Sequence, residues 1–150
     1  MPNRTARRKT GCAGTWDWID AAYLLDTNHV DRTSVVGQRI FEARLAGVRL
    51  GTCLPVLCEI EAGMRQVRHK VKYRRELNQL QVQLRLWPID LTTARIYGDL
   101  YMELRRSGRD LCQVDIMVAA LARQRKLTIL TTDRDFDALP DIPTADWSKP

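Results

Sequence analysis

The sequence predicts an α/β domain built on a parallel sheet, and three observations carry that prediction. Short apolar runs of strand length, "AAYLLD" (21–26), "VRLGTC" (48–53) and "LTILTT" (127–132), recur along the chain. Between them lie longer segments whose apolar residues return every three or four positions, the spacing of one helical face. Strands separated by helices pair in parallel, because each helical crossover carries the chain back to the same end of the sheet.

With 150 residues, 45% of them hydrophobic, the chain has the size and composition of one domain around one core. Residues 1–20 are polar, basic and aperiodic apart from Trp16 and Trp18, and read as an N-terminal extension ahead of a domain over 21–150. The first strand covers 22–26 and is followed by a helix over about 34–46. A strand over 48–53 and helices over 55–68 and 73–86 come next. Strand-like "LWPID" (86–90) leads into a helix over 92–107, with Thr92 or Thr93 suited to its N-cap. A helix over 113–125 and a strand over 127–132 complete the pattern.

No run approaches the ~18 apolar residues a membrane span needs, and the first 20 residues lack the apolar region of a secretory signal. A soluble, cytoplasmic protein without a membrane partner is therefore expected. The formal charge is +6, and its basic residues come in blocks. Arg4, Arg7, Arg8 and Lys9 form one; Arg65, Arg68, Lys70, Lys72, Arg74 and Arg75 form another, with no acid between them. Such blocks suit a polyphosphate partner, since neutralising phosphates releases condensed counterions. A solvated helix face plus a loose tail is the plainer alternative.

The four cysteines, Cys12, Cys53, Cys58 and Cys112, contain no C-x-x-C pair, and His29 and His69 make no metal-binding pair. Cys53, Cys58 and Cys112 are expected to be reduced and to face the core. Neither a G-x-G-x-x-G nor a G-x-x-x-x-G-K-[ST] stretch is present to cradle a nucleotide phosphate. Chemistry here should run on carboxylates.

Acids fall at four places where a strand ends or a helix begins: Asp26, Glu59 in "PVLCEIEAG", Asp115 in "QVDIMVAALA", and Asp133 with Asp135 in "LTTDRDF". In open α/β sheets the functional crevice lies outside the carboxyl ends of the strands. Asp115 lies at the edge of the apolar stripe formed by Ile116, Ala119 and Ala120, in a first helical turn that favours an anion. Carboxylates gathered there would repel by about 4 kcal/mol per pair at ~4 Å and an effective dielectric of ~20. A divalent cation removes that conflict, and oxygen-only ligands select Mg²⁺ or Mn²⁺. Such ions polarise a phosphodiester and orient an attacking water, so the pattern points to a metal-dependent nuclease. Each acid also has an ordinary reading: Asp26 as a helix N-cap, Asp115 as a first-turn acid, Glu59 as a salt-bridge partner of Arg65 or a neighbour, and Asp133 or Asp135 as a turn residue.

These residues resemble the PIN domain, and within it the VapC-type ribonuclease toxins of toxin–antitoxin pairs. The likeness rests on "YLLDTN" (23–28), "LPVLCEIEAGMR" (54–65), "GRDLCQVDIMVAALARQRKLTILTTDRDF" (108–136) and "ADW" (145–147). It implies a three-layer α/β/α fold with a central, mostly parallel sheet. It also implies that Asp26, Glu59 and Asp115 are metal-binding catalytic acids, joined by Asp133 or Asp135, with Asp135 favoured by its place before Phe136. Thr131 resembles the family's threonine that holds a carboxylate, and Thr27 and Asn28 resemble the polar pair that orders the first acid. The implied activity is Mg²⁺-dependent (or Mn²⁺-dependent) cleavage of RNA, such as tRNA or rRNA, restrained by a cognate antitoxin, in a protein that is a homodimer. Arg65, Arg68, Lys70 and Lys72 are then candidates for RNA binding.

Two features depart from the family pattern: the 20 residues ahead of the first strand, and Asp110, an additional acid near Asp115. Two other functions compete. A PIN-like binding module without catalysis would not need Asp26, Glu59 and Asp115 intact. An aspartyl-nucleophile phosphatase favours Asp-x-Asp at the strand end, where this chain has Asn28.

Overall fold

Strand β1 (Ala22–Leu25) is the middle strand of a five-stranded sheet ordered β3-β2-β1-β4-β5 in the computed structural model, which describes residues 22–29 and 35–149. The extension expected over 1–20 lies outside the described residues. β2 (Arg49–Thr52) and β4 (Thr128–Leu130) flank β1, while β3 (Arg85–Leu86) and β5 (Thr144–Ala145) form the edges. All four pairings are parallel, with Leu24 opposite Gly51 on one side and Ile129 on the other. Leu24, Leu25, Ile129 and Leu130 have no exposed surface, as strands covered on both faces require.

Among the described residues five α-helices accompany the sheet: α1 (Val35–Leu45), α2 (Leu54–Met64), α3 (Lys70–Gln81), α4 (Leu91–Arg106) and α5 (Gln113–Arg125). The β1→β2 step runs one way across the sheet and the β3→β4 return runs the other. Right-handed crossovers therefore place α1 on one face and the α4–α5 pair on the opposite face, giving three layers. α5 buries Ile116, Val118, Ala119, Ala120, Leu121 and Ala122, because it packs against α4, α2 and β4. Among the described residues, no helix is long and apolar enough to cross a membrane.

Gly51 is fixed by a neighbour rather than by backbone conformation. The Trp87 indole lies against it and donates from Nε1 to the Tyr23 carbonyl at 3.3 Å; a Cβ on Gly51 would stand 2.7 Å from both Trp87 Cδ1 and the Arg85 carbonyl oxygen. The absence of a side chain on β2 thus lets β3 and Trp87 close over the sheet.

Several expected boundaries move. The helix expected over 55–68 stops at Met64, because residues 65–72 offer nothing to the core and are all exposed. The next helix runs 70–81 rather than 73–86, holding Leu77 and Leu80 on its buried side. Only Arg85 and Leu86 of the expected 86–90 region pair as a strand, and Pro88, which has no N–H, is unsuited to extending the ladder. The cap of α4 is Asp90, not Thr92 or Thr93. Asp90 Oδ1 accepts from the Thr93 N–H at 3.0 Å and Thr93 Oγ1 accepts from the Asp90 N–H at 3.1 Å, a reciprocal capping box. Edge strand β5 was not expected from the sequence.

Of the three cysteines expected to face the core, only Cys53 does. Cys58 is exposed because the buried stripe of α2 is Val56, Ile60 and Met64, leaving Cys58 on the other side. Cys112 is exposed at the N-cap of α5, where its Sγ accepts from the Asp115 N–H at 3.4 Å.

Candidate active site

Asp26 follows the last residue of β1, and its main-chain N–H still pairs with the Leu130 carbonyl of β4 at 3.1 Å. The chain leaves β1 for β2 on one side and reaches β4 on the other only after three helical crossovers. The gap between the carboxyl ends of β1 and β4 is therefore the switch point of the sheet, where open α/β folds place their sites. Asp26 is 4% exposed, yet it is well supplied with donors. The Thr27 N–H donates to Oδ1 at 2.7 Å and Thr131 Oγ1 donates to Oδ2 at 2.8 Å.

Thr131, just beyond β4, uses its whole hydroxyl. Besides donating to Asp26, it accepts from Asn28 Nδ2 at 3.2 Å and from the Asp133 N–H at 3.0 Å. Asn28 Oδ1 in turn accepts from the Thr132 N–H at 3.2 Å, tying the turn after β1 to the turn after β4. Thr27 Oγ1 reaches the other way and donates to Glu59 Oε2 at 2.6 Å, so α2 is tied to the same point. Glu59 therefore meets Thr27, not Arg65; the ion pair of α2 is Glu61 with Arg74 of α3.

Asp115 joins this group through its field. It occupies the first turn of α5, half-buried, and its carboxyl is raised above the ordinary range by burial and by the negative charges of Asp26, Asp133 and Glu59. Asp26 is likewise raised, first by burial and then by Glu59 and Asp133, against the lowering effect of its two hydrogen bonds. None of these strongest influences is a cation. Of Asp133 and Asp135, it is Asp133 that stands with Glu59 among the largest influences on both Asp26 and Asp115. Asp135 is exposed, and its N–H donates to Asp133 Oδ1 at 2.8 Å, closing the short 3-10 turn Arg134–Ala138.

The remaining sequence candidates lie apart. Arg65, Arg68, Lys70 and Lys72 occupy the exposed link from α2 into α3, and Asp110 is exposed on the α4–α5 link. Sequence reasoning missed Arg39, Arg134 and Lys149, which line a groove that adjoins the site at Thr131 and Asp133 and draws on α1, the 3-10 turn and the C-terminal segment. No local pattern marks them, because only the tertiary fold brings these three stretches together.

Asp26 and Asp115, both raised by burial and by neighbouring carboxylates, lie with Glu59 and Asp133 in a set of oxygen donors of the kind a hard divalent cation takes. Among the described residues, no three acidic, imidazole or thiol side chains converge closely enough to enclose one ion directly.

Fold and site together define an open parallel α/β protein with an acidic, threonine-braced cleft at its switch point. A family model, the PIN domain, matches residues 23–142. Ribonuclease VapC5 of Mycobacterium tuberculosis (strain ATCC 25618 / H37Rv) is 31% identical over 121 residues, covering 79% of this chain and 88% of that protein. The chain belongs to the PIN domain family, in its VapC branch. Solved structures repeat the fold. VapBC2 from Rickettsia felis, bound to a DNA fragment from its promoter, matches with a TM-score of 0.76 at 20% identity over 84% of this chain and 98% of that one. VapBC-5 from Mycobacterium tuberculosis, a member of the VapBC family of toxin–antitoxin systems, matches with a TM-score of 0.67 at 24% identity over 84% and 98%.

Proposed function

We propose that this chain is the ribonuclease toxin of a toxin–antitoxin pair and that it hydrolyses RNA phosphodiesters with a divalent cation, Mg²⁺ or Mn²⁺. The observation that carries this reading is Asp26 at the switch point, tied through Thr27 to Glu59 and through Thr131 to the Asp133 main chain, with Asp115 in the first turn of α5 beside them. The likeness to Ribonuclease VapC5 supports RNA as the substrate, and the likeness to VapBC complexes supports a cognate antitoxin as the partner.

Asp26, Glu59, Asp115 and Asp133 would hold the ion. When bound, it supplies Lewis acidity toward a phosphoryl oxygen and a more acidic water. The rest falls to the chain. Thr131 and the Thr27 N–H fix both oxygens of Asp26, so its carboxylate is oriented before substrate arrives. Thr27 Oγ1 fixes Glu59. The raised carboxyls of Asp26 and Asp115 take up protons more readily than ordinary acids, so either is suited to accept a proton from water.

Incubation of the purified chain with total RNA, in Mg²⁺ and in excess chelator, tests the reading. Cleavage is expected with Mg²⁺ and abolished by the chelator. Undiminished cleavage in chelator contradicts the metal, and no cleavage with either Mg²⁺ or Mn²⁺ favours a binding module of the same fold.

A further inference from the structure

A groove of about 660 Å³ opens beside the carboxylates, between α1 and the carboxyl ends of β4 and β5. Thr131 and Asp133 form its inner end; Arg39, Arg134, Asp146 and Lys149 form its walls. Arg39 differs from the other cations here. It is half-buried, and its Nη1 donates to the carbonyl of Trp147 at 2.8 Å and to that of Lys149. Both acceptors are neutral. Among the described residues no carboxylate pairs with Arg39, and its Nε and Nη2 donors have no protein acceptor. A guanidinium carries five N–H donors in a rigid fork, so donors beyond Nη1 are left without an acceptor among the described residues on a side chain that lines the groove.

The tail that pins Arg39 is itself anchored. Trp147 is buried and its ring packs against Tyr23 of β1 at 5.0 Å, so the fork is held against the sheet rather than swinging on a free side chain. At the rim, Arg134 stands 3.7 Å from Asp137 and Lys149 3.2 Å from Asp146, with the basic side chains 93% and 79% exposed. Ion pairs so exposed are weak and screened, and an incoming anion competes for them.

We propose that this groove is a phosphate subsite for the RNA strand adjoining the carboxylates, with Arg39 as its fixed fork and Arg134 and Lys149 as its rim. The proposal rests on the ribonuclease reading above. A planar fork with free parallel N–H donors matches two phosphate oxygens at once, which a lone ammonium does not. The carboxylates would face one phosphate and the groove a neighbouring one, so the strand would be held at two points.

The test is binding of a fluorescein-labelled single-stranded RNA oligomer in EDTA, so that nothing is cut, across a salt series. Arg39→Met is expected to weaken binding about tenfold or more and to flatten the plot of log affinity against log salt by about 0.7, the share of one single-strand phosphate. Lys149→Ala is expected to flatten it in the same direction, and it decides the matter if Arg39→Met does not fold. A slope unchanged from wild type in the folded variant overturns the proposal. So does an unchanged RNA affinity accompanied by weaker binding of an acidic peptide, which would assign the groove to a protein partner. Cleavage of RNA by the wild type separates the two levels: without it the ribonuclease reading falls, whereas with it an unchanged slope removes the groove alone.

Discussion

Thr131 Oγ1 donates to Asp26 Oδ2 at 2.8 Å, joining the ends of two adjacent strands whose residues lie 105 positions apart in sequence. The same oxygen accepts from Asn28 and from the Asp133 N–H, so one hydroxyl aligns three members of the site. Thr131→Val keeps the shape and removes all three bonds. Unpaired buried polar groups cost about 1–3 kcal/mol each, and a loss in that range is expected in urea unfolding at neutral pH. Asp26 would also lose a bond that lowers its pKa, so the acid limb of the cleavage profile should move to higher pH. A variant with wild-type stability and an unmoved acid limb would show the hydroxyl to be idle.

Asp133 and Asp135 are two residues apart and differ in environment. Asp133 contributes to the raised pKa values of Asp26 and Asp115, whereas the exposed Asp135 contributes a main-chain N–H that any residue retains. Asp133→Asn is expected to lower RNA cleavage at least a hundredfold and Asp135→Asn only a few-fold, on the order of what one ligand or acid–base group supplies. Initial rates on one labelled RNA check it, and the opposite ranking would restore Asp135 as the fourth acid.

Gly51→Ala tests the closure of β3 over β2. The added Cβ meets the Arg85 carbonyl and the Trp87 ring at 2.7 Å, and main chain yields poorly. Overpacking of this kind costs about 1–3 kcal/mol, so the melting temperature should fall while RNA affinity of the folded fraction is retained.

The exposed stretch Arg65 to Lys72 keeps its candidacy as a second RNA contact, since none of its four basic residues lies in the cleft. Changing Arg68, Lys70 and Lys72 together to Ala should weaken RNA binding and reduce the salt slope by up to about 2, near 0.7 per lost phosphate contact. Equal slopes would mark the block as a solvated face.

Much of this architecture is legible in the chain because it is written locally. β1 is a continuous apolar run, β2 and β4 are short stretches centred on buried residues, and Asp26 is visible as the charge that ends the first of them. Glu59 and Asp115 stand out as acids within apolar helices. What escapes is set by contacts distant in sequence. β5 is two residues long and exists only because Ile129 and Leu130 offer it a free edge. Cys58 faces outward because the buried stripe of α2 falls on Val56 and Ile60, a matter of helix rotation that a short apolar stretch does not specify. Asp90 prevails over Thr92 and Thr93 as a cap because its carboxylate also receives the Gln124 amide of α5 at 3.0 Å. Arg39 meets the cleft only through the C-terminal segment.

The raised carboxyls also set the pH dependence of stability. A carboxyl whose folded pKa lies above its unfolded value binds more protons folded than unfolded, so its charge costs nothing below the unfolded pKa of ~3.9 and costs increasingly as pH rises through the folded value. Asp26 and Asp115 therefore disfavour the metal-free fold at neutral pH. Asp26→Asn should melt at an equal or higher temperature than wild type at pH 7 without metal, and lose that advantage near pH 4. Added Mg²⁺ should raise the melting temperature of the wild type more than that of Asp26→Asn, because an ion bound only to the folded state stabilises it.

The most direct measurement is Mg²⁺-supported cleavage of RNA by Asp26→Asn beside the wild type, with melting curves showing both chains folded. Loss of cleavage by orders of magnitude in a variant at least as stable as wild type is the predicted result. Retained cleavage in the folded variant, with stability reduced by the ~0.5–2 kcal/mol typical of a lost cap, would make Asp26 a structural residue and contradict the account.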